Sequence, residues 1–175
     1  MPIERVSNAG PKWGFNRSKQ RRSSSKSRRT TASSSVLVAM PITPRTRTSG
    51  SAAKGDVAIH AVCDALLGAA ALGDIGQHFP DTSDDYAGID SKLLLGRVAA
   101  MLRERSYEIG NVDCTIRMQR PKLRPYIDAM RAAMAGAMGI DTERVSVKAT
   151  TTEHLGFEGR EEGVSVSAVA LIFRP

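Results

Sequence analysis

A chain of 175 residues with 41% hydrophobic and only 5% aromatic content is long enough for one domain, with a core built from Ala, Val, Leu, Ile and Met. No apolar run approaches the roughly 18–20 residues of a membrane-spanning helix, and two cysteines, Cys63 and Cys114, are too few for a disulfide framework or a thiolate zinc site. The net charge of +7 hides a split: residues 1–55 carry twelve basic side chains against one acidic, Glu4, whereas the other 120 residues carry 13 basic against 17 acidic.

The basic character therefore belongs to the amino-terminal segment. Residues 1–54 are rich in Ser, Arg, Lys, Thr and Pro, with Lys19, Arg21, Arg22, Lys26 and Arg28 spaced by serines. No period of 2 or 3.6 is sustained there, so the segment is expected to lack order, apart from a short strand at Val36 to Met40. Three readings of it stand open: an organelle transit peptide, a polyanion-binding tail, or the product of a shifted reading frame or misjudged exon.

From Gly55 the texture changes. Asp56 is a natural N-cap for a helix running to about Leu72, with Val57, Ala58, Ala61, Ala65 and Leu66 at helical spacing. A turn, Gly73-Asp74-Ile75-Gly76, and a loop from His78 to Gly88 follow. Asp90 or Ser91 caps a second helix, Lys92 to Arg105, with Leu93, Leu94, Val98, Met101 and Leu102 inward. Gly110-Asn111 reads as a turn. The alternation of Val112, Cys114, Ile116 and Met118 with polar residues predicts a strand buried on one face. A third helix spans Arg124 to Met138 and stops at Gly139. Two strands, Val145 to Ala149 and Val164 to Phe173, flank a polar loop, Thr150 to Gly163, that opens with a helical turn. This order predicts an α+β fold: a small mixed sheet with helices on one face. Three strands are few, so either the amino-terminal segment adds one or subunits share their sheets.

Four features carry candidate chemistry. Asp56, His60 and Asp64 recur at i, i+4, i+8 and share a helix face, which suits either a metal or an ordinary polar stripe. Gly73-Asp74-Ile75-Gly76 with Phe79-Pro80-Asp81 lets backbone approach a ligand closely, or forms a plain turn. Gln119-Arg120-Pro121-Lys122-Leu123-Arg124 joins a strand end to a helix start, where amides and cations suit a phosphate, or forms an ordinary solvated connection. Lys148 to Gly163 carries Ala149-Thr150-Thr151-Thr152-Glu153 and then Phe157 and Arg160; its hydroxyls and carboxylate suit phosphate oxygens and a hard cation, or it is a long surface hairpin loop. No P-loop, Rossmann glycine fingerprint or nucleophile elbow is present.

In this order, Gly55-Asp56-Val57-Ala58-Ile59-His60-Ala61, Asp64 to Gly76, Phe79-Pro80-Asp81, Gly110-Asn111-Val112-Asp113, Arg120-Pro121-Lys122 and Lys148 to Gly163 resemble the 2-C-methyl-D-erythritol 2,4-cyclodiphosphate synthase family over some 120 residues. The resemblance implies a homotrimer with active sites between subunits. It implies cyclisation of 4-diphosphocytidyl-2-C-methyl-D-erythritol 2-phosphate with loss of CMP, in isoprenoid precursor synthesis. By resemblance His60 is a zinc ligand, Glu153 ligates magnesium or manganese, and Thr151 stabilises the transition state. Asp74, Ile75 and Gly76 hold the diol, with Phe79, Pro80 and Asp81 beside them. Met118 to Arg124 (with Gln119, Arg120, Pro121, Lys122 and Leu123), Ala149 to Thr152, Glu153, Phe157 and Arg160 form the cytidine and phosphate pocket.

The chain also departs from that pattern. The family's first strand ends in Asp-x-His, which completes the zinc site, and no such pair precedes Gly55. Where the family carries His-Ser-Asp-Gly-Asp, this chain has Ala52-Ala53-Lys54-Gly55-Asp56. The sequence thus divides at Gly55, with residues 1–54 outside the family pattern and 55–175 a synthase domain lacking its first strand. An incomplete zinc site predicts weak or no turnover. The competing function is an inactive relative that binds RNA or another polyanion through residues 1–54; only Trp13 and Phe15 are available there for base stacking, which argues against sequence-reading single-strand recognition, and nucleic acid is not the expected partner. The expected setting is bacterial cytoplasm, or a plastid if residues 1–54 are a transit peptide.

Overall fold

The computed structural model describes residues 36–41, 50–80 and 89–175. Its centre is a four-stranded sheet in the order β1-β4-β2-β3, where β1 is Val36–Pro41, β2 Glu108–Arg117, β3 Val145–Thr150 and β4 Gly163–Phe173. β4 runs antiparallel to both β1 and β2, whereas β2 and β3 are parallel, so the sheet is mixed. A parallel pair needs a crossover. Here α3 (Ile127–Met138) provides it, between β2 and β3. The other long helices are α1 (Gly50–Ala69) and α2 (Ser91–Glu104).

Side-chain alternation decides which face the helices cover. On β4, Val166, Ala168, Ala170 and Ile172 are buried, while Val169 and Leu171 between them are exposed. Val112, Cys114 and Ile116 of β2 join the inward set. Against them α1 presents Val62, Leu66 and Leu67, all 0% exposed. Both cysteines are free and buried, and burial pushes the Cys114 thiol up to about 12.

The helix ends have local causes. Asp90 accepts from the Lys92 amide at 2.9 Å and starts α2. Gly139 ends α3 at φ 64, the left-handed C-cap that favours glycine. Arg103 of α2 donates to the terminal carbonyl of Met138 at 2.6 Å and ties the two helices together.

Several boundaries differ from the sequence expectation. Asp56 does not cap α1, which begins at Gly50, because the good helix formers Ala52, Ala53 and Lys54 carry the helix through Gly55. The helix stops at Ala69, short of Leu72, as Ala71 turns left-handed at φ 56. Gly110-Asn111 is not a turn; it sits inside β2, where the register with β4 shifts. Leu93 faces outward at 60% exposure and Leu95 takes its inward place. The sheet edge beside β4 is filled by Val36–Pro41, so of the two alternatives for a further strand the amino-terminal segment supplies it. Residues 1–35 and 42–49, for which a lack of order was expected, lie outside the described residues, as do Asp81 and most of the loop to Gly88.

Leu66 anchors α1 on the sheet. Leu66→Ala is expected to lower the unfolding free energy by about 2–5 kcal/mol in denaturant titration; a loss under about 1 kcal/mol would contradict its full burial.

Candidate active site

The carboxyl ends of a parallel strand pair leave a crevice where the crossover helix departs. Here that crevice is a cleft of about 460 Å³. One wall is the β2 exit and helix start, with Met118, Pro121, Lys122, Leu123, Arg124 and Ile127. The other is the end of β3, with Val147, Lys148, Ala149, Thr150 and Thr151. The walls are joined by the Met118 amide, which donates to the Thr150 carbonyl at 3.0 Å and extends the parallel ladder by one step. An apolar floor, a rim of Lys122, Arg124 and Lys148, and threonine hydroxyls suit a ring carrying phosphate groups. Lys148 also binds Asp113 at 2.7 Å. Desolvation works against ionisation of Asp113, but hydrogen bonds from Lys148 and Ser146 leave its pKa lowered.

The threonine loop continues from this rim. Thr151 Oγ1 donates to Glu153 Oε1 at 2.6 Å, and Thr152 Oγ1 donates to the Leu155 carbonyl at 2.5 Å. Glu153 and His154 are consecutive left-handed residues at φ 50 and 65. Each such non-glycine residue costs about 1–3 kcal/mol, which its surroundings must offset. A helical turn at Gly156–Gly159 folds back on the loop; a Cβ at Gly159 would lie 2.2 Å from the His154 carbonyl carbon, so only glycine fits. Arg160 grips Glu162 with two 2.8 Å hydrogen bonds, and that contact raises the Arg160 pKa and lowers that of Glu162.

The turn at Gly73–Gly76 is built by two carboxylates. Asp64 of α1 accepts from the Ile75 amide at 2.8 Å. Asp74 caps the helical turn Ile75–His78 and accepts from Gln77 through both its side-chain nitrogen, at 2.8 Å, and its amide, at 3.0 Å. These bonds, the side-chain one foremost, lower the Asp74 pKa. His78 Nε2 lies 2.8 Å from the Leu72 carbonyl.

The predicted residues thus fall into separate groups. Met118, Pro121, Lys122, Leu123, Arg124, Ala149, Thr150 and Thr151 meet in the cleft, and Glu153 is tied to it through Thr151. Gln119, Arg120, Thr152, Phe157 and Arg160 do not line it, nor do His60, Asp74, Ile75, Gly76, Phe79 and Pro80. Ile127 and Val147 line it without having been singled out, because their sequence signal is that of core positions; Lys148, which opens the fourth motif, lines it without having been assigned a role.

Among the described residues, no three His, Cys, Asp or Glu side chains come together to hold a metal ion. Asp64 is engaged with Ile75, His78 with Leu72, and His154 with Gln119 at 3.3 Å. The described donor set around His60 does not fit a cation held by protein ligands alone. Glu153 is an exposed carboxylate, chemically suited to a hard cation.

A mixed α+β sheet with a cationic cleft at the ends of its parallel pair defines the class, a domain for a phosphorylated small molecule. The chain belongs to the YgbB family, whose model matches residues 27–173. It is 64% identical over 118 residues to the 2-C-methyl-D-erythritol 2,4-cyclodiphosphate synthase of Thioalkalivibrio sulfidiphilus, covering 67% of this chain and 74% of that protein. The enzyme of the same name from Azotobacter vinelandii is 58% identical over 118 residues, covering 67% of this chain and 75% of that protein. Among solved structures, the bifunctional IspDF of Campylobacter jejuni matches with a TM-score of 0.72 at 31% identity, over 83% of this chain and 42% of that longer chain. A 2C-methyl-D-erythritol-2,4-cyclodiphosphate synthase described as its CDP-bound form matches with a TM-score of 0.59 at 31% identity, over 65% of this chain and 73% of that one. The family is metal-dependent.

Asp74 provides a pH test of the turn. Its folded-state pKa lies below the ordinary carboxylate value, so its capping contribution is full above that value and lost as pH falls through the depressed one. The transition in the amide resonances of Ile75 to Gln77 that Asp74→Asn abolishes should lie below about pH 4. A transition above pH 5 would contradict the capping geometry.

Proposed function

We propose that this chain is a 2-C-methyl-D-erythritol 2,4-cyclodiphosphate synthase. It cyclises 4-diphosphocytidyl-2-C-methyl-D-erythritol 2-phosphate: a 2-phosphate oxygen bonds to the β-phosphorus, the bond from that phosphorus to the bridging oxygen breaks, and CMP leaves with the electron pair. The observation that carries this reading is the junction of the cationic cleft with the Thr151–Glu153 pair, in a chain 64% identical to a relative of that name.

The nucleophile is already an anion, so the reaction needs no strong base. Its obstacles are repulsion between phosphates and the entropy of ring closure. The cleft formed by Met118, Pro121, Lys122, Leu123, Arg124, Ala149 and Thr150 holds the cytidine phosphate end, consistent with a relative crystallised with CDP. By resemblance Gln119, Arg120, Thr152, Phe157 and Arg160 belong to the same pocket, although they do not line the cleft. Thr151 offers its hydroxyl to the phosphate oxygens in the transition state. Glu153 is the carboxylate that would hold magnesium or manganese, and such a cation supplies charge neutralisation and polarisation of phosphate oxygens when bound. His60 would be a zinc ligand, but the described residues do not complete that site.

Asp74, Ile75 and Gly76, with Phe79, Pro80 and Asp81, receive the diol. The cleft of a single chain is lined by none of these. A complete site therefore draws the turn from a second copy, in a homotrimer. Val169 and Leu171, 36% and 37% exposed on the sheet face away from the helices, support burial of that face between copies.

Purified chain with zinc and magnesium is expected to release CMP from the diphosphocytidyl substrate, slowly because the His-Ser pair is absent. Thr151→Val should lower kcat about 100-fold. No CMP release from folded protein would contradict the reading. Sedimentation should show a trimer that Leu171→Glu dissociates; a monomeric native chain would overturn the shared-site arrangement.

A further inference from the structure

Two described side-chain contacts join the β2 exit to the threonine loop. Arg120 meets Glu161 at 3.3 Å, with side chains 76% and 48% exposed, so water screens it. Gln119 is different. It is 9% exposed, its Nε2 lies 3.3 Å from His154 Nε2, and its Oε1 is buried without a partner among the described residues. Burying an amide with one end unsatisfied is costly, so the end that faces His154 matters more than an exposed hydrogen bond would. Gln119 does not line the cleft, and His154 sits on the left-handed step directly after Glu153.

We propose that Gln119 and His154 form a latch that fixes the Glu153–His154 step against the β2 exit and so positions the Thr151–Glu153 pair over the cleft. Both are positioning residues; neither exchanges a proton with substrate. The amide donates to the ring nitrogen of the imidazole tautomer that carries its proton on Nδ1. Without the latch the loop's remaining ties to the β2 exit are the Met118–Thr150 ladder bond and the screened Arg120–Glu161 pair, while Ser165 Oγ donating to Glu158 Oε1 at 2.6 Å holds only its far end, against β4. The carboxylate then samples positions away from the phosphates, while the nucleotide wall keeps its shape.

The inference rests on the synthase reading for its catalytic consequence, but not for its structural one. Gln119→Leu removes the latch together with the unsatisfied oxygen, at nearly constant volume. His154→Gly removes the latch while keeping, and easing, the left-handed backbone. In full-length protein both should raise amide hydrogen exchange over residues 151–160 roughly five- to tenfold, the change that loss of one net hydrogen bond allows. Both should lower kcat for CMP release by a similar factor, His154→Gly should leave CDP affinity within about twofold, and the double variant should be no worse than either single one. Unchanged exchange over the loop in Gln119→Leu, or strictly additive effects in the double variant, would overturn the latch. Should the native chain release no CMP, the synthase reading fails, and the exchange comparison still decides the latch by itself.

Discussion

The parallel pairing of β2 with β3 is the constraint on which the rest depends. Their register, Val112 with Val145 through Arg117 with Thr150, brings both carboxyl ends to one edge. The crossover helix α3 must leave from that edge, and the main-chain bond from Met118 to Thr150 closes the ladder between the walls. A parallel strand pair cannot be joined by a tight turn, so the chain spends residues 118–126 in an open connection. That connection carries Lys122 and Arg124. The cleft is thus a consequence of topology, and the cations on its rim are what the sequence adds.

Two classes of polar group serve this arrangement. Some build the frame: Asp64 holds the Ile75 amide, Asp90 caps α2, and Arg103 closes the carboxyl end of α3. Others remain exposed toward solvent, with Glu153 the clearest case. The division matters because the same residue types appear in both. Asp64 shares a helix face with His60 and looks like a ligand by spacing, yet its oxygen is committed to backbone.

Much of the fold was legible because it rests on local rules. Alternation gave β2 and β4, glycine placed the end of α3, and the short apolar stretch at Val36 was read as a strand. What failed were boundaries set by tertiary context. Gly110-Asn111 has turn composition but lies at a bulge, where pairing with β4 overrides propensity. Asp56 has capping chemistry, but an Ala-Lys run continues the helix upstream. The site was legible as motifs and not as a geometry. Ile127 and Val147 carry no chemical signal, and no spacing rule separates the Asp74 turn from the cleft within one chain. The Gln119–His154 contact joins residues 35 apart and is invisible without the register of β2 and β3.

The most direct measurement is a titration of the full chain with CDP, followed residue by residue through backbone amide resonances. Shifts centred on Met118, Lys122 to Arg124 and Ala149 to Thr151, with the Asp74 turn responding weakly, are expected of a nucleotide seated between the ends of β2 and β3. No saturable shifts, or shifts centred elsewhere, would contradict the assignment of that cleft as the place where the chain holds its substrate.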